Sequence, residues 1–379
     1  MKICFLSSMH PADDKRVHYK EAVSLVRHGY DVTHICPDPR GDQILDGVKV
    51  VTFEGSRSIT GRLARIHGLY KMGVAQDADV YHCNEVDSWM AGVALKIFHK
   101  KYIIFDSHEI PSHDFAETRF PKFIRPLVIV FMQLVFRFLL MFTDQLVLAK
   151  RSADMDFKKT KVPKQLVQNY TDCDVVVANE SEKRERHEND PITVIHLGAI
   201  NRTRGWPEML DAIAATKNKN IHLRVIGQFG DNTDQDFLDR VAELKLEDRV
   251  TFESWIPYEE VYKALRQCDV GIVLFQPGTF SFVHALPHKL FDYMLAELPV
   301  IVPDFAIEVA EIVDESNAGI LVDAANIENV AAALDKLADD KDLREKLGQN
   351  GRQAVIETYN WQNEEKKLVD MYQELDVAA

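Results

Sequence analysis

Apolar runs of four to six residues alternate with amphipathic stretches of ten to twenty along almost the whole chain, and then the alternation stops once and restarts. Strands short enough to be buried on both faces, each followed by a helix-length segment, are the pattern of βα units on a parallel sheet. In the first half the strand candidates are Lys2–Leu6, Asp31–Cys36, Val48–Phe53, Asp79–His82, Tyr102–Phe105 and Gln145–Leu148. His18, Ala22, Leu25 and Val26 share one face of the first helix, and Gly29 sits where a cap glycine ends one. The stretch from Asn179 to Asp190 is crowded with charge and lacks core residues, which reads as a linker. Thr193–Leu197, His222–Ile226, Val250–Phe252, Val270–Leu274 and Val300–Val302 then repeat the strand pattern, followed by a helical tail over Ile327–Leu375. The expected organisation is α/β: two doubly wound domains, 1–178 and 191–359, joined by 179–190, with a C-terminal helix from about 360 to 379 completing the first. In such sheets ligands gather at the carboxyl ends of the strands, so the expected site is a cleft facing both domains.

Charge narrows the class. With 45 basic and 59 acidic residues the net charge is −14, a field that repels nucleic acid, although a local basic patch can still hold an anion. The five cysteines are scattered, odd in number and without a CxxC, as in reduced intracellular proteins. The apolar run after Lys2 is too short for a signal peptide, and Gln133 and Arg137 interrupt the longest apolar stretch, Leu127–Phe142, leaving no clean span. The expected location is therefore cytoplasmic.

Two loops in the second half could meet one anionic ligand. In ALPHKLFDYM, Pro287 suits a first helical turn, so the N–H groups of His288 and Lys289 would open from a helix N-terminus, which favours phosphate. Lys289 adds charge, and Asp292, one turn on, could accept two sugar hydroxyls; an ordinary helix start with a surface Lys and Asp fits the same letters. In GAINRTRGW, Gly198 and Gly205 bracket a strand-to-helix turn containing Arg202 and Arg204, whose planar forks suit a diphosphate, although a solvated basic turn reads equally well. In the first half, Asp106, Ser107, His108 and Glu109 close one strand, and His10, Asp13, Asp14, Lys15 and Arg16 follow another. His108 lies among polar residues at a strand end, where a functional and a structural histidine are both plausible.

With these residues in view the chain resembles the GT-B glycosyltransferases of the GT4-type, group 1 retaining family. The likeness runs through SSMHPADDKRVHYKEAVSLVRHGYDVT, DVYHCNE, IIFDSHE, VIHLGAINRTRGWPEML, RVTFESWIPYEEVYKAL, ALPHKLFDYMLAELPVIVPD and YNWQNEEKKLVDMY, in the family's order. The resemblance implies two Rossmann-like domains, the first binding the acceptor and the second a nucleotide-sugar donor, with UDP or GDP as the expected nucleotide. It implies that Arg204 touches the donor phosphates, that Asp292 holds the ribose, that His284 contacts the transferred sugar and that His108 lies beside the reacting sugar, with Gly198 opening the phosphate turn. On this reading His108, Arg204 and His284 are the catalytic set; Gly198, Arg202, Arg204, His284, Pro287, His288, Lys289 and Asp292 bind the donor; and His10, Asp14, Arg16 and Glu109 face the acceptor. The chain departs from the family pattern in carrying His284-x7-Asp292 rather than two glutamates, Ala199 where arginine is common, and Glu297 in place of a cap glycine. Phosphate charge must then be met by Arg204, Arg202, Lys289 and helix N–H groups.

Stabilising the leaving diphosphate by fixed cations and dipoles requires no metal and no cofactor. The three Asp-x-Asp strings, at Asp77, Asp154 and Asp172, sit at no convincing strand end between nucleotide-binding units. No enzymic nucleophile stands out, so same-face attack with His108 nearby is expected. Arg119, Lys122, Phe123 and Arg125 open a stretch from Thr118 to Thr143 that has no acid and is rich in phenylalanine. That composition suits the interface of an anionic membrane, and equally a core helix; with the family likeness it points to a glycan or polyprenyl-linked acceptor and cell-surface polysaccharide assembly. Two other classes remain open at this point: a non-catalytic GT-B subunit that binds a partner or glycan, and a nucleotide-sugar epimerase. A Rossmann dehydrogenase is disfavoured, since no GxGxxG follows the first strand.

Overall fold

The structure is a computed structural model and describes residues 1–55, 59–174, 187 and 190–378. The chain divides into two compact units: Met1–Asn169 together with the C-terminal helix Trp361–Ala378, and Tyr170–Asn360. The first unit thus ends nine residues before the expected boundary at 178, and Tyr170–Asp174 belong with the second. Apart from His187 and Asp190, the charged stretch 179–190 lies outside the described residues.

The first unit is built on an eight-stranded sheet. Its strands are β1 (Lys2–Leu6), β2 (Asp31–Pro37), β3 (Gln43–Leu45), β4 (Val48–Phe53), β5 (Val80–Cys83), β6 (Tyr102–Ser107), β7 (Gln145–Leu148) and β8 (Lys164–Leu166), in spatial order β3-β4-β2-β1-β5-β6-β7-β8. All neighbours pair in parallel except β3 with β4. Chain order reverses direction between β1 and β5, and such a switch point leaves a crevice outside the strand ends. One face packs Trp89, Phe105, Phe136 and Phe157, with Trp89 stacked on Phe105 at 4.0 Å; the other receives Trp361, Leu368 and Tyr372 from the C-terminal helix.

The second unit repeats the plan with six parallel strands. These are β9 (Ile192–Leu197), β10 (Ile221–Ile226), β11 (Val250–Glu253), β12 (Val270–Ile272), β13 (Val300–Pro303) and β14 (Gly319–Val322), ordered β11-β10-β9-β12-β13-β14. Renumbered within the unit this is 3-2-1-4-5-6, the doubly wound dinucleotide-fold order, with its switch point between β9 and β12.

Three strands were not expected: β3 and β8, three-residue edge elements, and β14, which opens on Gly319. The expected tail is three helices, Ile327–Asp339, Lys341–Glu357 and Trp361–Ala378. Asp340 caps the second of these through Leu343 N–H, and Asn360 marks the second break.

Candidate active site

The turn after β9 is set by backbone constraints. Gly205 has φ +84°, and a Cβ there would lie 2.0 Å from the Leu274 carbonyl, so only glycine lets the turn approach β12's exit. The Asn201 side chain accepts the Arg204 N–H at 2.8 Å and closes the turn. The Arg204 guanidinium then lies over Phe275 at 5.8 Å and reaches the Ala199 carbonyl at 3.5 Å. From the other side comes the helix His288–Leu295, whose N-cap is Pro287. Pro287 keeps extended ψ (131°) and so stands just outside the first turn it was expected to occupy; the helix opens at His288.

Lys289 points inward and is buried, its Nζ 3.3 Å from His196 Nε2 at the end of β9. Burial first, and the neighbouring Arg204 charge second, push the lysine well below its ordinary value. Burial, then Lys289, hold His196 well below its own, so that ring is neutral. Among the described residues no carboxylate lies within ion-pairing distance of Lys289 or Arg204. A buried lysine beside Arg204, next to a helix N-terminus and with no carboxylate partner among the described residues, is a site where a bound anion would restore the lysine's charge.

Asp292, on the next turn, is also buried. Its Oδ1 accepts from Thr171 Oγ1 at 3.0 Å and its Oδ2 is 3.0 Å from His288 Nδ1, so the protein already orients both oxygens. His284 follows the short helix Phe280–Val283 and packs its ring on Phe280 at 4.6 Å. Gly198 has φ +92°, and its carbonyl would be 1.9 Å from a Cβ at Gly227, which holds the β9 and β10 exits together. Arg202 departs from expectation: it pairs with Asp236 at 2.6 Å and stacks over Trp206 at 4.9 Å, so it is not joined to the Arg204–Lys289 pair.

In the first unit, the loop after β1 is held at the switch point by Glu85, which follows β5. The Glu85 carboxylate accepts the backbone N–H groups of Ser8, Met9 and His10 at 2.8, 2.9 and 3.2 Å. His10 is thereby placed beside His108, ring centroids 4.7 Å apart. Each histidine is backed by a carboxylate: His10 Nδ1 is 3.1 Å from Asp14 Oδ2, and His108 Nε2 is 2.9 Å from Asp106 Oδ2. Burial disfavours the His10 charge, but the Asp14 hydrogen bond and the Glu85, Asp14 and Asp106 charges outweigh it and raise His10 overall.

Asp14, Arg16 and Glu109, expected on the acceptor side, each have partners within the unit. Asp14 caps the π-helical segment Lys15–Ala22, accepting Arg16 and Val17 N–H at 2.9 Å each. The wider i→i+5 winding turns Arg16 and Glu21 inward along with His18 and Ala22. Arg16 is buried, donates to Asp106 and the Val167 carbonyl, and lies 2.8 Å from Glu21, so its guanidinium is engaged inside the unit. The Glu109 carboxylate is paired with Lys150. Among the described residues the grouping of metal-ligating atoms is Glu21, His82 and Asp106, all within 4.8 Å of one another, and Arg16 already occupies its centre of charge.

The phenylalanine-rich stretch forms a helix over Arg125–Leu140. Met132, Phe136 and Leu139 face the core, while Leu127, Val130, Phe131, Leu134 and Phe138 are exposed, with Phe123 (81% exposed) just before. Arg119 and Lys122 are exposed near its start. Arg125 is partly buried and donates to the carbonyls of Phe120 and Glu117, which ties it to the turn before the helix. No helix among the described residues is long and apolar enough to cross a membrane.

His196, Glu85, Glu21, His82 and Tyr372 lie inside the family-like segments, yet the sequence assigns none of them a role of its own. His196 did carry a signal, a polar residue inside an apolar strand immediately before the Leu197-Gly198 exit.

Two Rossmann-like units of this kind define the GT-B class of fold. Comparison with known proteins agrees: the Glycosyl transferases group 1 family matches residues 177–354 and the Glycosyl transferase 4-like family residues 2–149. The second unit is thus similar to the group 1 glycosyl transferases and the first to the glycosyl transferase 4-like proteins. It is 23% identical over 241 residues to alpha-D-kanosaminyltransferase of Streptomyces kanamyceticus, covering 61% of this chain and 60% of that one. Overall it spans about half the length of the curated relatives it matches, 45%, 60% and 48%. Among solved structures, sucrose-phosphate synthase from Thermosynechococcus elongatus matches with TM-score 0.73 and 17% identity over 100% of both chains. Anabaena HepE in complex with UDP-glucose matches with TM-score 0.72 and 13% identity over 99% of this chain and 100% of that one.

Proposed function

We propose that the chain transfers a sugar, with retention, from a nucleoside-diphosphate sugar to a glycan or polyprenyl-linked acceptor in cell-surface polysaccharide assembly. The observation that carries this reading is the buried Lys289 beside Arg204 with no carboxylate partner. A diphosphate supplies the missing negative charge, and its charge grows as the sugar departs, so the same groups favour the transition state over the ground state. The bond from the anomeric carbon to the phosphate oxygen breaks as the acceptor oxygen attacks on the same face, and the acceptor's proton passes to the leaving phosphate. Lys289, Arg204 and the helix N-terminus carry the developing charge without a metal. Asp292, oriented by Thr171 and His288, is assigned to the ribose. UDP is the first nucleotide to test, since a structural neighbour was solved with UDP-glucose. His10 and His108 are assigned to the acceptor side.

The exposed row Leu127, Phe131, Leu134 and Phe138, with Arg119 and Lys122 nearby, supports a peripheral seat on an anionic membrane, which is where a lipid-linked acceptor resides. The test is incubation with a panel of UDP- and GDP-sugars, with and without polyprenyl-phosphate-linked sugars, reading released nucleotide and the anomeric configuration by NMR. Nucleotide release with an α-linked product from an α-linked donor supports the reading. Donor epimerised without acceptor, or no turnover of any donor, refutes it in favour of an epimerase or a non-catalytic subunit.

A further inference from the structure

Within the first unit, two carboxylates share one guanidinium. Arg16 Nη2 lies 2.8 Å from Glu21 Oε1 and 3.1 Å from Asp106 Oδ2. Its hydrogen bonds, however, all go elsewhere than Glu21: Nε and Nη2 donate to Asp106, and Nη1 to the Val167 carbonyl. His82 closes the cluster, with Nε2 3.7 Å from Asp106 Oδ2 and 4.0 Å from Glu21 Oε2. Its Nδ1 is 2.8 Å from the Tyr372 hydroxyl, and its ring stacks on Phe5 at 4.6 Å. The side chains of Glu21, Asp106 and His82 are fully buried.

The charges do not balance. One guanidinium faces two carboxylates, which leaves a negative charge in a dry interior, and two carboxylates that share a site cannot both stay ionised. A bound proton restores the balance, and the contacts say where it sits. Asp106 accepts three hydrogen bonds from Arg16, the environment of an ionised carboxylate, and lies 2.9 Å from His108 Nε2. His82 is stacked against an apolar ring, where burial disfavours imidazolium. Neither oxygen of Glu21 accepts a hydrogen bond, although Arg16 lies 2.8 Å from Oε1, and a buried carboxyl left so favours the neutral acid over the carboxylate.

We infer that Glu21 is a neutral carboxylic acid whose proton is directed to Asp106, and that it is a positioning residue for the Asp106–His108 pair. Held in this way, Asp106 is the one ionised carboxylate of the cluster. It keeps Arg16 to itself and presents Oδ2 to His108. The groups facing Glu21 are Arg16 and Asp14 from its own segment, Asp106 from β6, His82 from β5 and Tyr372 from the C-terminal helix. Burial pushes Glu21 well above the usual carboxylate range, against the pull of Arg16. The role of His108 rests on the transferase reading; the proton on Glu21 does not.

Infrared spectroscopy reads that proton directly. At about pH 8, where an exposed carboxyl is ionised, the full chain should show the carbonyl stretch of a protonated carboxylic acid, and Glu21→Gln should lack it. Turnover supplies the second readout. Glu21→Leu, of similar size but without a donor, should lose about tenfold in kcat, the worth of one hydrogen bond, with a displaced pH profile; Glu21→Gln should restore most of both. No such band in the wild type, or a band that survives in Glu21→Gln, overturns the inference, and so does equal loss in the Leu and Gln variants. A band lost in Glu21→Gln in a protein that turns over no donor upholds the proton and refutes the transferase reading instead.

Discussion

Lys289→Met separates what the lysine does for the fold from what it does for the ligand. Methionine keeps the unbranched length and removes the charge. In the unliganded protein Lys289 is buried, repelled by Arg204 and close to a neutral His196, so its charge is a burden on the folded state. Its depressed ionisation means that the unfolded chain binds this proton more readily, so the group's contribution is present at alkaline pH and is lost as pH falls through the folded value. Removing it should raise the unliganded Tm at neutral pH, by about 2–4 °C for each kcal/mol recovered in a unit of this size. With a nucleoside diphosphate bound the sign reverses. A charge-assisted hydrogen bond contributes about 1.5–3 kcal/mol, so affinity should fall by about ten- to a hundredfold or slightly more. Differential scanning fluorimetry with and without UDP and GDP, followed by calorimetry, measures both halves. A variant that is less stable without ligand, yet shifts with nucleotide as the wild type does, would show that Lys289 is a packing residue and would refute the reasoning.

Four further outcomes are expected. Asp292→Asn should weaken nucleotide binding by about 1 kcal/mol or more, since a hydrogen bond to a charged group is lost, and calorimetry with UDP against UMP would show whether the loss tracks the nucleoside rather than the phosphates. Gly205→Ala forces a Cβ to within 2.0 Å of the Leu274 carbonyl at φ +84°, which should cost about 2 kcal/mol or more, read as a lower urea midpoint. Phe131→Glu on the exposed face should leave urea stability within about 0.5 kcal/mol, yet reduce sedimentation with phosphatidylglycerol vesicles by more than about tenfold, given about 1.5–3 kcal/mol for burying a phenylalanine. Glu21, held protonated in the folded state, should make stability fall by up to about 1.4 kcal/mol per pH unit once pH passes the unfolded value near about 4.3 and until it reaches the folded one; urea melts of Glu21→Gln against wild type between acid and neutral pH should therefore diverge in favour of the variant.

The alternation of apolar runs located the sheets because a strand buried on both faces can hardly be written otherwise: Lys2–Leu6 and Gln145–Leu148 coincide with the buried β1 and β7, and Val48–Phe53 with the half-buried β4. Edges were harder to see. Gln43–Leu45 and Lys164–Leu166 bury little and so carry no apolar signature. The second-unit site was legible as two loops, since glycines and cations mark a turn that must approach a ligand. Its decisive property was not, because lysine is seldom buried, and nothing in the letters around Lys289 says that its ammonium turns toward His196 rather than toward water. Arg202 and Arg204 sit two residues apart in one turn and look interchangeable, yet Asp236, 34 residues away, claims the first. The first helix shows a further limit. A 3.6-residue spacing picked out His18 and Ala22, whereas π-helical winding also brings in Arg16 and Glu21, and with them the buried charge cluster behind His108.

The central claim is that the Lys289–Arg204 pocket awaits a nucleoside diphosphate. Isothermal calorimetry of the full chain against UDP, GDP, ADP, TDP and CMP, each with and without EDTA, tests it most directly. One diphosphate should bind, unaffected by EDTA and sharply weakened in Lys289→Met. Binding of none of them, or binding that EDTA abolishes, would contradict it.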